Sequence, residues 1–186
     1  MIRKLLLFIS LFSIQFANAQ WLVQSAPSDN FNAVHFSSAT NGLIAGQHGL
    51  YYTNNGGTTW NNVISTGSSS DSIVFSHTQF TRIGIANNMW LVIGRDSVSD
   101  KAVIFRLNTT VTSCLLTYTG VTGSKLNDIS GYTPHAFAVG DNSLIIYSGN
   151  SGQTWTTYFA PTVGENYRSI SIFTNNNISM LGNPGT

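Results

Sequence analysis

Short apolar stretches alternate with turns rich in glycine, asparagine and serine along most of the chain. The stretches are rich in β-branched and aromatic residues, a pattern that predicts strands rather than helices. The first predicted strands lie at 31–37, 42–47, 50–54 and 59–64. The same pattern returns later, with predicted strands at 126–131, 135–141, 143–148 and 154–159. The second strands are apolar on both faces, which is typical of strands buried between neighbouring sheets.

A glycine marker gives this pattern a period. Small or apolar residues followed by glycine and a polar residue recur at Gly46, Gly94, Gly140 and Gly182, at intervals of 48, 46 and 42 residues. The marker predicts units at about 31–64, 80–120, 126–160 and, in truncated form, 167–186. Four-stranded units of this length are typical of the blades of a β-propeller.

Two segments, 53–60 and 148–155, share the pattern Ser/Thr-x-Asn-x-Gly-x-Thr-Trp, and we call them the tryptophan turns. Their predicted structural residues are Thr53, Asn55, Gly57, Thr59 and Trp60, and Ser148, Asn150, Gly152, Thr154 and Trp155. We expect the asparagine to accept bonds from turn amides, the glycine to adopt a positive φ, and the indole to pack beneath the turn. A calcium or sugar site in the turn is the alternative, which the missing carboxylate disfavours. In the middle unit, residues 107–110 occupy the equivalent place.

The tryptophan turn resembles the Asp-box of bacterial neuraminidase repeats, with asparagine in place of aspartate. The segment from Trp21 to Trp60 is more specifically similar to the repeat of photosystem II stability/assembly-factor-like proteins, through residues 31–36, 41–50 and the first tryptophan turn. The resemblance covers nearly all of the chain after residue 20 at the level of the repeat. It implies a β-propeller and little about activity, because enzymes and non-enzymes share the repeat.

Residues 1–19 have the layout of a secretory signal peptide. A basic start at Arg3 and Lys4 precedes an apolar run at 5–16, and Ala17-Asn18-Ala19 offers a cleavage site before Gln20. The run is shorter than the roughly 20 residues that span a bilayer, so we expect no transmembrane segment after cleavage. The sequence therefore predicts export to the periplasm, the cell surface or the medium.

Residues 20–186 are predicted to form an all-β, partial β-propeller of four-stranded antiparallel blades. Trp21–Gln24 resembles the strand that follows a tryptophan turn, and we expect it to complete the last blade of a ring. The chain accounts for about three and a half blades, fewer than a closed propeller needs. The remaining blades are expected from further sequence after residue 186.

The amino-acid composition excludes some classes of function. Only 8% of the residues are charged, whereas Ser, Thr and Asn supply 62 of 186. Without Arg3 and Lys4, six basic side chains stand against seven acidic ones, which argues against nucleic-acid binding. Cys114 has no partner and lies in a strand-like run, so we expect a buried, unreactive thiol. The serine-rich stretch at 65–72 is predicted to be a flexible loop.

Two hypotheses for function remain open. A glycosidase needs two positioned carboxylates, and Glu165 is the one glutamate of the sequence. We therefore expect an exported, non-catalytic module for protein or glycan binding or assembly, without a cofactor. The alternative is the N-terminal part of a sialidase or xyloglucanase whose catalytic residues lie outside this segment.

Charged residues collect in the loops that join second to third strands and successive blades. The candidate binding residues on this side are Arg95, Asp96, Asp100, Lys101 and Asp141. The partner is expected to be a protein or a carbohydrate. The four histidines, His35, His48, His77 and His135, share no metal-ligand spacing, so no metal site is predicted.

Overall fold

The computed structural model describes residues 24–158, 164–174 and 177–184. Within these residues, the strands form three four-stranded sheets and one two-stranded sheet, all antiparallel. Each sheet comes from one continuous segment, and its strands neighbour one another in sequence order. The sheets are blades of a partial β-propeller, which confirms the predicted architecture. The predicted signal peptide and most of the predicted closing strand lie outside the described residues.

Four blades follow one another along the chain. Blade 1 contains β1 (Phe31–Phe36), β2 (Gly42–Gly46), β3 (Leu50–Thr53) and β4 (Asn61–Asn62). Blade 2 contains β5 (Thr78–Ala86), β6 (Met89–Asp96), β7 (Lys101–Asn108) and β8 (Cys114–Thr122). Blade 3 contains β9 (Leu126–Tyr132), β10 (His135–Gly140), β11 (Ile145–Ser148) and β12 (Thr156–Tyr158). Blade 4 is represented by β13 (Glu165–Thr174) and β14 (Asn177–Pro184).

The predicted fourth strands of units one and three begin too early. They were expected from residues 59 and 154, but β4 begins at Asn61 and β12 at Thr156. The side chains of Asn55 and Asn150 accept bonds from the amides of Thr59 and Thr154 and hold both residues in the turn. Strand pairing therefore begins only after the tryptophan.

The prediction of a flexible loop at 65–72 is wrong, because a helix, α1 (Ser69–His77), begins within it. Ser68 Oγ accepts from the Asp71 amide at 3.2 Å, and the Asp71 carboxylate accepts from the Ser68 amide at 3.1 Å. This reciprocal capping box satisfies backbone donors at the start of the helix. Phe75 packs into the core between blades 1 and 2 and holds the helix there. No helix of the described residues is long and apolar enough to cross a bilayer.

The hydrophobic cores lie between the blades rather than within them. Successive pairs of blades enclose three clusters, represented by Leu43, Phe80 and Trp90, by Leu91, Ile104 and Ile146, and by Val139, Ile145 and Tyr167. A blade therefore becomes stable by stacking on its neighbours, because a lone sheet leaves one or both apolar faces in water.

The first strand of every blade carries a bulge at the same place. The residue before the bulge pairs with the marker glycine of the second strand: Phe31 with Gly46, Phe80 with Gly94, Leu126 with Gly140 and Tyr167 with Gly182. A Cβ at Gly46, Gly94 or Gly140 would lie closer than 3.0 Å to atoms of the first strand or of the segment leading into it. This close approach is the physical reason why a glycine recurs at this position of the repeat.

Candidate functional site

The antiparallel order of the strands separates two ends of each blade. One end carries the turns between second and third strands and the connections between blades, and we call it the loop face. The other end carries the turns between first and second strands and the tryptophan turns, and we call it the turn face. The predicted structural and binding residues therefore lie at opposite ends of the molecule.

The first tryptophan turn is closed by side chains from both of its sides. Thr53 Oγ1 donates to Asn55 Oδ1 at 2.9 Å and accepts from the Gly57 amide at 2.9 Å. Asn55 Oδ1 also accepts from the Thr59 amide at 3.0 Å, and its Nδ2 donates to Thr59 Oγ1 at 2.9 Å. The turn thus satisfies its own polar groups and leaves no set of free oxygens for a cation.

The second tryptophan turn repeats this geometry within 0.1 Å for the corresponding bonds of Ser148, Asn150, Gly152 and Thr154. The φ angles are +89° at Gly57 and +79° at Gly152, so both predicted left-handed glycines are confirmed. Ser148 is 1% exposed, and its hydroxyl is therefore a buried hydrogen-bonding group rather than a surface group.

The indoles of Trp60 and Trp155 are half-buried rather than fully buried, and that of Trp155 contacts the neighbouring blade. Trp155 Nε1 donates to Thr117 Oγ1 in β8 of blade 2 at 3.2 Å. Trp60 meets the Phe36 ring edge-on at 6.1 Å between centroids. The second tryptophan turn therefore ties blade 3 to blade 2 in addition to closing its own hairpin.

In blade 2, a different turn takes the place of the tryptophan turn, as the sequence indicates for residues 107–110. Asn108 Nδ2 donates to Thr112 Oγ1 at 2.7 Å, and Asn108 Oδ1 accepts from the Thr112 amide at 2.9 Å. This pair copies the Asn55–Thr59 pair without the glycine or the tryptophan. Val111 adopts φ 54°, a value that β-branched residues rarely take.

On the loop face, Asp141 is the centre of a charged cluster. Its Oδ1 accepts from Asn127 Nδ2 at 2.8 Å and from Arg168 at 3.0 Å, and its Oδ2 lies 3.9 Å from Lys125 Nζ. The side chains of Lys125 and Arg168 are 51% and 46% exposed. Because two cations share one carboxylate, the cluster keeps a net positive charge.

A groove of about 540 Å³ adjoins this cluster between blades 2 and 3. It is lined by residues 121–125, by Asp141 and residues 142–144, and by Thr157. Lys101 pairs with Thr122, so the predicted hairpin of blade 2 lies next to the groove. The structure therefore places Asp141 in the groove and Lys101 on a strand that borders it.

The other predicted loop residues have partners within their own hairpin. Arg95 and Asp100 form a half-exposed ion pair. Asp96 is buried and accepts bonds from Ser99 Oγ and from the Val98 amide. Burial by itself raises the pKa of Asp96, but these hydrogen bonds outweigh it and lower the pKa below its ordinary value. Asp96 supports the turn and offers no free oxygen to a ligand.

Sequence reasoning missed Lys125, Asn127 and Arg168. Asn127 donates to the Tyr167 carbonyl of the next blade at 2.8 Å, and Asn32 donates to the Phe80 carbonyl at the same distance. The two asparagines lie 95 residues apart, as do Trp60 and Trp155. This shared spacing is the signal that marks the position, and Arg168 occupies it in blade 4.

A hydrogen-bonded histidine and aspartate join the turn after β2 to the segment before β1. His48 Nδ1 lies 2.9 Å from Asp29 Oδ1, and Tyr51 donates to Asp29 Oδ2 at 3.3 Å. Burial alone raises the pKa of Asp29, but bonds from His48, Asn30 and Tyr51 lower it overall. Among the described residues, no serine, threonine or cysteine is hydrogen-bonded to His48, so the pair lacks a nucleophile.

Two further kinds of chemistry, metal binding and thiol chemistry, concern the histidine, cysteine and acidic side chains that the structure describes. Within the described ranges, no three His, Cys, Asp or Glu side chains come together in a way that holds a metal ion. Cys114 is 1% exposed, and burial raises the pKa of its thiol to about 12. A thiol with this pKa stays protonated at neutral pH and is a poor nucleophile.

The fold is similar to solved propeller structures. "YCF48 bound to D1 peptide" has a TM-score of 0.60 and 15% identity over 80% of this chain and 45% of that one. YCF48 from Cyanidioschyzon merolae has a TM-score of 0.61 and 13% identity over 85% and 57%. The chain thus spans about half the length of these two proteins.

A xyloglucanase of family GH74 from Xanthomonas campestris is also similar, with a TM-score of 0.57 and 11% identity over 82% of this chain and 27% of that one. No protein-family model and no curated protein sequence matches the chain. At these identities, the likeness to assembly factors and to glycoside hydrolases is a likeness of fold. This chain is a partial β-propeller that resembles photosystem II assembly factors in structure.

Proposed function

We propose that the chain is a non-catalytic propeller module that binds a protein partner in the groove of the loop face. The observation that carries this proposal is the Lys125–Asp141–Arg168 cluster, in which two half-exposed cations share one carboxylate beside a groove of about 540 Å³. Cations with spare donors bind a carboxylate of a partner strongly at a partly desolvated site. The partner segment is therefore an extended peptide that carries an acidic side chain.

Two facts support a protein partner over a polysaccharide substrate. YCF48, which has a similar fold, has been solved bound to the D1 peptide. The xyloglucanase likeness covers only 27% of that enzyme, and a glycosidase needs two positioned carboxylates, whereas Glu165 is the one glutamate of this sequence. We also propose that the tryptophan turn is an Asp-box variant in which asparagine performs the structural role of the aspartate.

Export is a separate part of the proposal and rests on the pattern of residues 1–19. Expression with the native N-terminus in a bacterium, followed by mass spectrometry of the secreted or periplasmic protein, tests it. A mature N-terminus at Gln20 supports export, and an intact Met1 on cytoplasmic protein contradicts it.

Selection from a phage-displayed dodecamer library tests the binding site. We expect enriched peptides to carry aspartate or glutamate, and a synthetic copy to bind the protein in calorimetry. The variant Lys125→Gln/Arg168→Gln is expected to weaken this binding roughly tenfold or more, because it removes both cations that pair with Asp141 at the groove. Arg82→Gln is the matched control, since Arg82 bonds to a carbonyl of its own strand.

Two outcomes contradict the proposal. One is enrichment of peptides without acidic residues whose affinity is unchanged in Lys125→Gln/Arg168→Gln. The other is hydrolysis of xyloglucan or a sialoside above the blank rate, which would favour the hydrolase reading.

A further inference from the structure

At the turn face, a long side chain of blade 2 reaches across the interface to blade 3. Arg106 Nε donates to the Ser151 carbonyl of the second tryptophan turn at 2.8 Å. Leu91, its cross-strand partner, lies so close to Gly152 that a Cβ there would collide with it. The turn of blade 3 is therefore seated directly on blade 2.

The interface between blades 1 and 2 has the same strand pairing but a different side chain at the position of Arg106. Tyr52 pairs with Leu43 as Arg106 pairs with Leu91, so Tyr52 takes the place of Arg106. The segment opposite is the rearranged turn of blade 2, which lacks glycine and tryptophan. A pocket of about 200 Å³ lies between them, lined by Asn41, Tyr52, Thr53, Asn54, Thr109 and Thr110. The change of turn in blade 2 thus opens a pocket where the next interface is closed.

The lining of this pocket is polar and uncharged. The side chains of Asn41, Asn54 and Thr109 and the hydroxyl of Tyr52 form no hydrogen bond within the part of the chain that the structure describes. Tyr52 is half-buried and packs against the core, which fixes its ring. The pocket therefore offers several donors and acceptors beside a half-buried tyrosine.

We propose that this pocket binds one neutral sugar ring, free or at the end of a glycan. Amide and hydroxyl side chains supply the paired donors and acceptors that vicinal hydroxyls need. The tyrosine ring offers an apolar surface to the C–H side of the sugar. Since no lining residue is charged, the pocket has no cation for a phosphate or carboxylate. The pocket volume of about 200 Å³ is smaller than the roughly 300 Å³ of the smallest pockets for drug-sized ligands. A ligand of this pocket is therefore no larger than a single sugar ring.

The test uses the purified full chain labelled with ¹⁵N and a panel of methyl glycosides of glucose, galactose, mannose, fucose and N-acetylglucosamine. Each glycoside is added to tens of millimolar while amide spectra are recorded. We expect at least one glycoside to shift the amides of Tyr52, Asn54 and Thr109 in a saturable manner. The amides of Lys125 and Asp141 on the loop face are expected to stay unchanged.

Tyr52→Arg is the decisive variant, because it copies the side chain that closes the next interface. It is expected to keep the folded spectrum and to weaken glycoside binding by roughly tenfold or more. Thr109→Val, which keeps the shape and removes one hydroxyl, is expected to weaken binding less. Tyr132→Phe is the control, since Tyr132 is exposed and lies outside the pocket.

The proposal is overturned if no glycoside shifts these amides. It is also overturned if Tyr52→Arg and Thr109→Val, both folded, bind as the parent does. These results leave the proposed peptide groove untouched, because the groove lies on the loop face and the pocket on the turn face. The groove variant Lys125→Gln/Arg168→Gln is accordingly expected to leave the glycoside-induced shifts unchanged.

Discussion

Trp155 in blade 3 donates a hydrogen bond from Nε1 to Thr117 Oγ1 in blade 2, at 3.2 Å. Thr117 Oγ1 in turn lies 3.4 Å from the Ile104 carbonyl of its own sheet. A turn that looks purely local in the sequence is thus anchored to the neighbouring sheet. The tryptophan contributes to the joint between blades as well as to its own hairpin.

This joint gives the first prediction. Thr117→Val removes the acceptor with little change in shape and is expected to lower the free energy of unfolding by about 1 kcal/mol. Trp155→Phe also loses buried area and is expected to cost about 1–3 kcal/mol. Urea unfolding of both single variants and the double variant measures the coupling. Strictly additive costs would mean that the bond across the blades contributes nothing.

The buried hydroxyl of the second tryptophan turn gives another prediction. Ser148→Ala leaves the Gly152 amide, a buried donor bonded at 2.8 Å, without a partner. The expected loss in the free energy of unfolding is about 1–3 kcal/mol. Ser171→Ala, at an exposed position of β13, is the control and is expected to change stability by less than about 0.5 kcal/mol. An equal effect of both changes would contradict the role given to Ser148.

The marker glycines provide a test of the close approach between strands. Gly140→Ala places a methyl group against the Lys125 carbonyl, a backbone atom that cannot turn away. We expect a loss of at least about 2 kcal/mol, measured by thermal or urea unfolding. Gly49→Ala is the control, because its nearest neighbour atoms belong to the Tyr51 side chain at 3.4 Å. If Gly140→Ala is as stable as Gly49→Ala, the regular spacing of the marker glycines is not explained by close approach of the backbone.

Asp96 predicts a dependence of stability on acid pH. Burial alone raises its pKa, but the hydrogen bonds from Ser99 and Val98 leave the pKa below the ordinary aspartate value of 3.8. A carboxyl with a lowered pKa stabilises the fold above its unfolded pKa, and this contribution disappears as the pH falls through the folded value. Asp96→Asn is therefore expected to flatten the loss of stability below about pH 4. Unfolding measured at intervals from pH 7 to pH 3 decides this, and an unchanged slope in Asp96→Asn would refute it.

Cys114 yields a chemical prediction. With the pKa of the thiol raised to about 12 and the side chain buried, the native protein is expected to react with Ellman's reagent only very slowly at pH 8. In guanidinium chloride the same thiol is expected to react at the rate of a free cysteine. Fast reaction of the native protein would show that the site opens readily.

The repeat could be predicted from the sequence because its cause is local. A glycine is needed where the first strand, or the segment leading into it, approaches the second strand too closely for a Cβ, as at Gly94 and Gly140. The marker glycine lies opposite the first-strand bulge in all four blades. The helix α1 was missed because a run of serines hides its start, although Ser68 and Asp71 have the spacing of a capping box. Low complexity was therefore a poor guide to disorder at this place.

The candidate binding site, which is the charged cluster around Asp141, could be predicted only in part from the sequence. Asp141 was found because it follows the marker glycine in a turn, but its partners come from elsewhere in the chain. Lys125 lies in the connection between two blades and Arg168 on the first strand of the next one, so only packing brings them to one carboxylate. Asp96 shows a different limit of the sequence, because the burial of a charged loop residue and its bonds within its own hairpin depend on packing.

The bulge of each first strand, opposite its glycine, has a consequence for how such chains change over time. Every unit presents its neighbour with the same backbone shape at this place, whatever its turns contain. After duplication or deletion of a unit, the blades that become neighbours would therefore still have matching backbone shapes at this place. Variation in loops and turns, such as the altered hairpin of blade 2, can then diversify recognition without rebuilding the scaffold.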